Sequence, residues 1–223
     1  MGSKNKLKRF RENETFSNVI QPTRDEVLTA FPLKGKWNTF FKNDNPIILE
    51  LGCGKGEYTL ALAEKNPNIN YIGVDIKGAR FWRGAKTALE EGIENVAFLR
   101  TQIELIDLCF AENEVQEIWI TFPDPQIKYT RTKHRLTNQD FLKKYHKILV
   151  PNGIMHLKTD SEFMHGYTLG LLHGEQHEIL YAHHDVYNNT HSPEEVISTQ
   201  TFYEKQYLEV NKPITYIKFK LNY

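Results

Sequence analysis

The chain has 223 residues and a mass of 26.1 kDa, enough for one sizeable core with extensions. Hydrophobic residues make up 40% and charged residues 25%, a globular balance that argues against disorder. Mean hydropathy is −0.53, and no apolar run approaches the roughly 20 residues that span a bilayer, so a membrane protein is not expected.

The opening Met1-Gly2-Ser3-Lys4-Asn5-Lys6 carries cations with no apolar stretch behind them, unlike a signal peptide, and Lys6 stands where N-myristoylation requires Ser or Thr. Two cysteines, Cys53 and Cys109, supply neither a disulfide framework nor a cysteine-rich zinc site, and a cytoplasmic location is expected. The formal net charge of zero hides strong segregation. Lys4, Lys6, Lys8, Arg9 and Arg11 form a run without acids. Lys128, Arg131, Lys133, Arg135, Lys143, Lys144 and Lys147 face Asp140 alone. Between Glu90 and Glu117 the sign reverses, with Arg100 among eight acids. Cations gathered in a few segments are the footprint of a polyanion site, although a solvated face gives the same pattern.

Along the chain, Val27, Leu28 and Phe31 form a short apolar stripe that predicts one amphipathic helix in a basic lead of residues 1–45. Ile47-Ile48-Leu49-Glu50-Leu51 is apolar on both faces, as a buried parallel strand should be, and a glycine-rich turn and a helix through Leu60, Ala61 and Ala63 follow. Strands are predicted at 71–75, 96–99, 117–121 and 153–157, with helices at 79–91 and 161–173 and a further helix opened by Thr137, with Asp140 completing a variant capping box. Residues 215–221 alternate polar and apolar, which predicts an antiparallel edge strand. The pattern is α/β: a doubly wound, mostly parallel sheet within one domain over residues 46–223.

In such a sheet the residues that leave each strand carry the ligand chemistry. Gly52, Gly54 and Gly56 alternate after the first strand, a spacing that fits neither the dinucleotide fingerprint nor a nucleoside-triphosphate loop. Asp75 leaves the second strand, where an acid can accept both hydroxyls of a ribose, and Gln102 after the third offers an amide to an adenine edge. In this arrangement the chain resembles the class I S-adenosylmethionine-dependent methyltransferases, with their Rossmann-like fold. Cys53 reads as a small residue that fits the turn.

After the fourth strand comes Phe122-Pro123-Asp124-Pro125, a carboxylate with stiff backbone on both sides, followed at once by basic residues. These residues resemble the hallmark of bacterial tRNA (guanine-N(7)-)-methyltransferases, and the basic lead from Gly2 to Asn18, Thr159-Asp160 and Thr201-Phe202-Tyr203-Glu204 are similar to further elements of that family. The resemblance covers nearly the whole chain. It implies methyl transfer from S-adenosylmethionine to N7 of a guanine in the tRNA variable loop. It further implies Glu50, Gly52, Gly54, Asp75, Gln102 and Asp124 at the cofactor, Asp124 as the catalytic carboxylate, and Lys128, Asp160, Thr201, Phe202, Tyr203 and Glu204 at the substrate. Gln126-Ile127 stands where the family has Trp-Pro, and Gln102 where Asp or Asn is usual. The other readings are methyl transfer to another RNA or a small molecule, and a non-catalytic RNA-binding protein on the same scaffold. His173, His177, His183, His184 and His191 match no zinc spacing, so no metal is expected; the protein is expected to act as a monomer or homodimer.

Overall fold

A computed structural model describes residues 3–223, with side chains from Asn5 onward. Gly2 and the side chain of Lys4, at the start of the basic lead, lie outside the described residues. Eight strands form one sheet among the described residues: β1 (Val19–Ile20), β2 (Ile47–Leu51), β3 (Asn70–Val74), β4 (Val96–Leu99), β5 (Val115–Thr121), β6 (Leu149–Thr159), β7 (Glu178–His183) and β8 (Thr215–Lys220). Their order is β1-β4-β3-β2-β5-β6-β8-β7. Pairings from β1 through β6 are parallel, and β8 runs antiparallel to both of its neighbours.

Ten helices flank the strands among the described residues: α1 (Ser3–Asn13), α2 (Arg24–Ala30), α3 (Trp37–Phe41), α4 (Glu57–Lys65), α5 (Gly78–Glu91), α6 (Ile106–Cys109), α7 (Gln139–Ile148), α8 (Glu162–Gly174), α9 (Glu194–Ile197) and α10 (Phe202–Glu209). All of β2 is buried, because alternate residues enter different cores. Leu49 and Leu51 join Val27 of α2, Trp37 of α3, Phe141 of α7 and Met164 of α8. Ile48 joins Tyr58 of α4, Phe81 of α5 and Val196 of α9. The sheet is therefore doubly wound, with a hydrophobic layer on each face.

Three differences from the sequence reading have physical causes. Residues 3–45 hold three helices and a strand rather than one helix, and they are built into the body of the fold. β1 adds a parallel edge to β4, and Trp37 is wholly buried. The Trp37 indole stacks on Phe110 at 5.2 Å and donates to the Cys109 carbonyl at 3.1 Å, while Glu114 accepts from the Gly35 and Trp37 backbone N–H groups. The antiparallel strand at 215–220 is internal, with β7 taking the edge that it was expected to occupy. Asn138, not Thr137, caps α7 by accepting from Phe141 N–H at 3.0 Å, because the Thr137 hydroxyl is buried against that of Thr168.

Trp37→Ala would empty the largest site in the lead and leave the Cys109 carbonyl without its donor. A loss of about 3–5 kcal/mol is expected in urea unfolding. A change within a few tenths of a kcal/mol would show that the lead contributes no core.

Candidate functional site

The sheet reverses direction between β2 and β5: from β2 the strands run outward through β3 and β4, and from β5 through β6. A crevice opens at the carboxyl ends on either side of that point. Glu50 pins it. Its Oε2 accepts from the backbone N–H and the hydroxyl of Thr59 in the first turns of α4, and its Oε1 accepts from the Thr121 hydroxyl at the end of β5, 2.6 Å away. Burial pushes the carboxyl up to about 7 despite these donors, and the nearby Asp75 adds to the effect.

The glycine loop divides its labour. At Gly56 a Cβ would lie 2.5 Å from the Phe98 ring, and the backbone has φ of +76°, so this glycine serves close packing. At Gly54, with φ of +57°, the nearest atom to a Cβ is 3.9 Å away, leaving space above the loop, and Gly52 holds φ of +77° beneath it. Asp75 lies across from Gly54: its Oδ2 accepts from Gly54 N–H at 3.1 Å and its Oδ1 from Lys77 N–H at 2.7 Å. Each oxygen keeps lone-pair capacity for a further donor. Ile76, next in sequence, presents an exposed apolar surface. Gln102 is exposed, and its amide oxygen accepts from the Arg24 guanidinium, which leaves its NH₂ to serve as a donor. Cys53 is buried, and desolvation with the two nearby acids raises its thiol well above the ordinary range, which keeps it protonated and unreactive.

Beyond Gly54 the crevice widens into a cleft of about 900 Å³ between α1, α5 and the glycine loop. Lys6, Arg9, Lys55, Lys77, Arg80, Arg83 and Arg100 line it against Glu57 as the one acid among the described lining residues. α1 is fixed there by Asn13, which donates to the Gly78 carbonyl at 2.9 Å, and by Glu12, which accepts from the Trp82 indole at 2.6 Å.

Asp124 sits on the far side of the switch point. It is exposed, and its Oδ1 accepts from Gln126 N–H at 3.1 Å. Phe122 and Gln126 on either side have φ of +46° and +47°, left-handed conformations that cost non-glycine residues about 1–3 kcal/mol each. Arg135 helps hold this turn. Its Nε and Nη2 donate to the Gln126 and Ile127 carbonyls at 3.2 and 3.3 Å, and its guanidinium lies over the Phe163 and Tyr167 rings. Arg135 is therefore not one more cation for a polyanion, as the basic run suggested. Lys144 and Lys147 turn to Asp107. Lys128, Arg131 and Lys133 remain exposed beside Asp124.

The predicted substrate-side residues separate. Asp160, at the end of β6, pairs with Lys212. Thr201 caps α10, while Phe202 and Tyr203 are half exposed, and the Lys55 ammonium lies 4.2 Å from the Phe202 ring centroid. Glu204 is not available to a substrate. It is fully buried, its Oε1 pairs with Lys158 Nζ at 2.6 Å and accepts from the Tyr187 hydroxyl at 2.7 Å, and its Oε2 accepts from Thr201 N–H. Lys158 donates in addition to the Val196 and Thr199 carbonyls at 2.5 and 3.0 Å. Burial pulls the Lys158 ammonium down and Glu204 pulls it back up. The residues missed in the sequence are thus Arg135 and Lys158; only their position in charged or apolar runs was visible. Among the described residues no three His, Cys, Asp or Glu side chains converge as a metal site requires.

Residues 44–217 match a family model described as "Putative methyltransferase". A Christiangramia forsetii protein named tRNA (guanine-N(7)-)-methyltransferase is 75% identical over 223 residues, covering 99% of this chain and 100% of that protein. A Bacteroides fragilis protein of the same name is 48% identical over 220 residues, covering 98% of this chain and 86% of its own length. Among solved structures, the 16S rRNA methyltransferase KamB superposes with a TM-score of 0.64 at 12% identity, covering 85% of this chain and 94% of that one. That likeness is one of fold.

Two predictions follow from the buried acids. Glu204→Ala would strand the Lys158 ammonium in the core, and urea unfolding should show a loss of about 3–5 kcal/mol, most of which a double variant with Lys158→Met recovers. Wild-type stability in Glu204→Ala would refute the ion pair. Glu50, raised from 4.5 to about 7 in the fold, favours folding when protonated. Its contribution is complete below the unfolded value and is lost as pH rises through about 7, a swing on the order of 3 kcal/mol. Glu50→Gln should flatten the stability profile across that window; an unchanged slope would assign the titration elsewhere.

Proposed function

The chain belongs to the tRNA (guanine-N(7)-)-methyltransferase family, and we propose that it transfers a methyl group from S-adenosylmethionine to N7 of a guanine in the variable loop of tRNA. The observation that carries this reading is the placement of Asp124. A carboxylate on a stiff, proline-flanked turn follows β5, the neighbour of β2 across the switch point, and exposed cations follow it in the chain, while Gly54 and Asp75 follow β2 and β3.

The cradle suits the cofactor on its own terms. Gly54 leaves room for close approach, Asp75 retains acceptor capacity for the two hydroxyls of a ribose, and exposed Ile76 offers a flat apolar face to an adenine. The Gln102 NH₂ supplies a donor to a ring nitrogen of that base. Glu50 acts from beneath, fixing the ends of β2 and β5 and the start of α4 in one geometry. When bound, S-adenosylmethionine supplies an electrophilic methyl group on a positively charged sulfur.

N7 of neutral guanine already carries a lone pair, so no residue has to remove a proton before attack. The protein's task is positioning and charge. Asp124 accepts from the N–H groups on the guanine's Watson–Crick edge with the carboxylate capacity that Gln126 leaves unused, and it offsets the positive charge that the purine gains. Asp160, held by Lys212 after β6, and the exposed Lys128, four residues after Asp124, are the further candidates for substrate contact. The cations of the α1–α5 cleft and of the segment after Asp124 hold RNA phosphates, which fixes register without reading sequence.

The direct test follows labelled methyl groups from the cofactor into total tRNA. Borohydride and aniline treatment then cleaves the chain at 7-methylguanosine. Cleavage at a variable-loop guanine is expected; incorporation without cleavage would reassign the target atom. Asp124→Ala should fold, because the side chain is exposed, while single-turnover rates with saturating tRNA fall about a hundred- to a thousand-fold. A rate close to wild type would move the catalytic role to Asp160.

A further inference from the structure

A second cavity, of about 550 Å³, lies between the segment after Asp124 and the first half of α8. We propose that it holds a second nucleobase of the RNA, an unpaired neighbour of the target guanine, stacked on Tyr129. The inference rests on the tRNA reading above and adds a recognition site to it.

Tyr129 is 91% exposed and Ile127 66%, both on the segment that follows the catalytic turn, and Phe163 across the cavity is 40% exposed. Apolar and aromatic surface of this kind, gathered along one open groove, marks a binding surface. The far wall is already rigid. Phe163 and Tyr167 stack with their planes 16° apart, and the Arg135 guanidinium lies over both rings, 4.8 and 4.4 Å from their centroids. The same Arg135 bonds the Gln126 and Ile127 carbonyls, so the wall is tied directly to the turn that carries Asp124. Gly166 contributes bare helix backbone, with nothing within 4 Å of where a Cβ would stand, which leaves the floor open.

The chemistry selects the occupant. Exposed aromatic faces with an acceptor beside them suit a planar ring whose edge carries N–H donors, and Glu162 lines the cavity as that acceptor, the Arg135 guanidinium being taken up by the Phe163 and Tyr167 rings and the turn carbonyls. Lys128, Arg131 and Lys133 are exposed on the same segment and face a polyanion backbone rather than an apolar peptide. A nucleobase meets both requirements at once, with its ring in the cavity and its phosphates on the cations. Only an unpaired base can do so, because a paired one already stacks within its helix. The cavity is lined by Ile127, three residues after Asp124, and Arg135 ties its wall to that turn, so a base held there neighbours the target guanine of the proposed reaction.

The test uses the full chain, a substrate tRNA with 2-aminopurine in place of the nucleotide on either side of the target guanine, and the variants Tyr129→Ala and Tyr129→Phe. Wild-type protein should quench 2-aminopurine at one of the two positions. Tyr129→Ala should abolish that quenching and weaken tRNA binding by about 5- to 100-fold, the range for one lost aromatic–base stack, while turnover at saturating tRNA and the dependence of affinity on salt stay unchanged. Tyr129→Phe, which keeps the ring, should behave as wild type. Undiminished affinity and quenching in Tyr129→Ala would overturn the platform, as would an effect confined to the salt dependence, which would mark Tyr129 as a mere support for nearby cations. Methyl transfer by the wild type to the unmodified tRNA is scored separately. If transfer occurs and Tyr129→Ala is silent, the platform alone fails; if no RNA is methylated, the reading beneath it fails as well.

Discussion

The site depends on one buried carboxylate. Glu50 joins the end of β2, the opening of α4 and the end of β5 through donors from Thr59 and Thr121, and those three elements meet where the sheet changes direction. Each donor compensates part of the cost of removing the group from water, yet the acid remains at a value near 7 because burial dominates. Asp75 raises it further, so a second acid beside the floor of the crevice discourages Glu50 from ionising. A cationic ligand above them would relieve that repulsion, which is how a loop without a phosphate grip can still favour a charged guest.

After β5, the turn that carries Asp124 is built from strain held in place. The left-handed conformations of Phe122 and Gln126 persist because Phe122 N–H is fixed by the Lys158 carbonyl at 2.8 Å and the Gln126 carbonyl is fixed by Arg135. Lys158 thus works from both ends: its backbone anchors the turn that carries Asp124, and its ammonium anchors Glu204, the end of α9 and the segment after it.

Much of this was legible in the sequence, for reasons specific to parallel sheets. Strands buried on both faces read as unbroken apolar runs, and the residues that follow them line the crevice by topology, so Glu50, Asp75 and Asp124 stood out before any geometry was known. β7 was illegible because it is an edge strand with most of its side chains exposed, and β1 because two residues carry no period. Arg135 read as one cation among seven, since only the fold reveals that Phe163 and Tyr167 come to lie against it. Glu204 was expected at the substrate because its partner Lys158 is remote in sequence, and a helix position with a capping role gives no hint of full burial.

The internal position of β8 bears on how the enzyme comes into being. β6 and β7 are neighbours in sequence but not in space, since β8 lies between them and pairs with both. During synthesis both earlier strands therefore leave the ribosome with an unpaired edge, a state open to association with other chains. The gap closes only when residues 215–220 arrive. The same late strand brings Thr215, whose hydroxyl donates to the Thr159 carbonyl at 2.9 Å, directly beside Asp160. A nascent chain that has already made its glycine loop and the turn at Asp124 still lacks the strand that flanks Asp160. Until it arrives, β6 and β7 have no strand to hold them in register with each other.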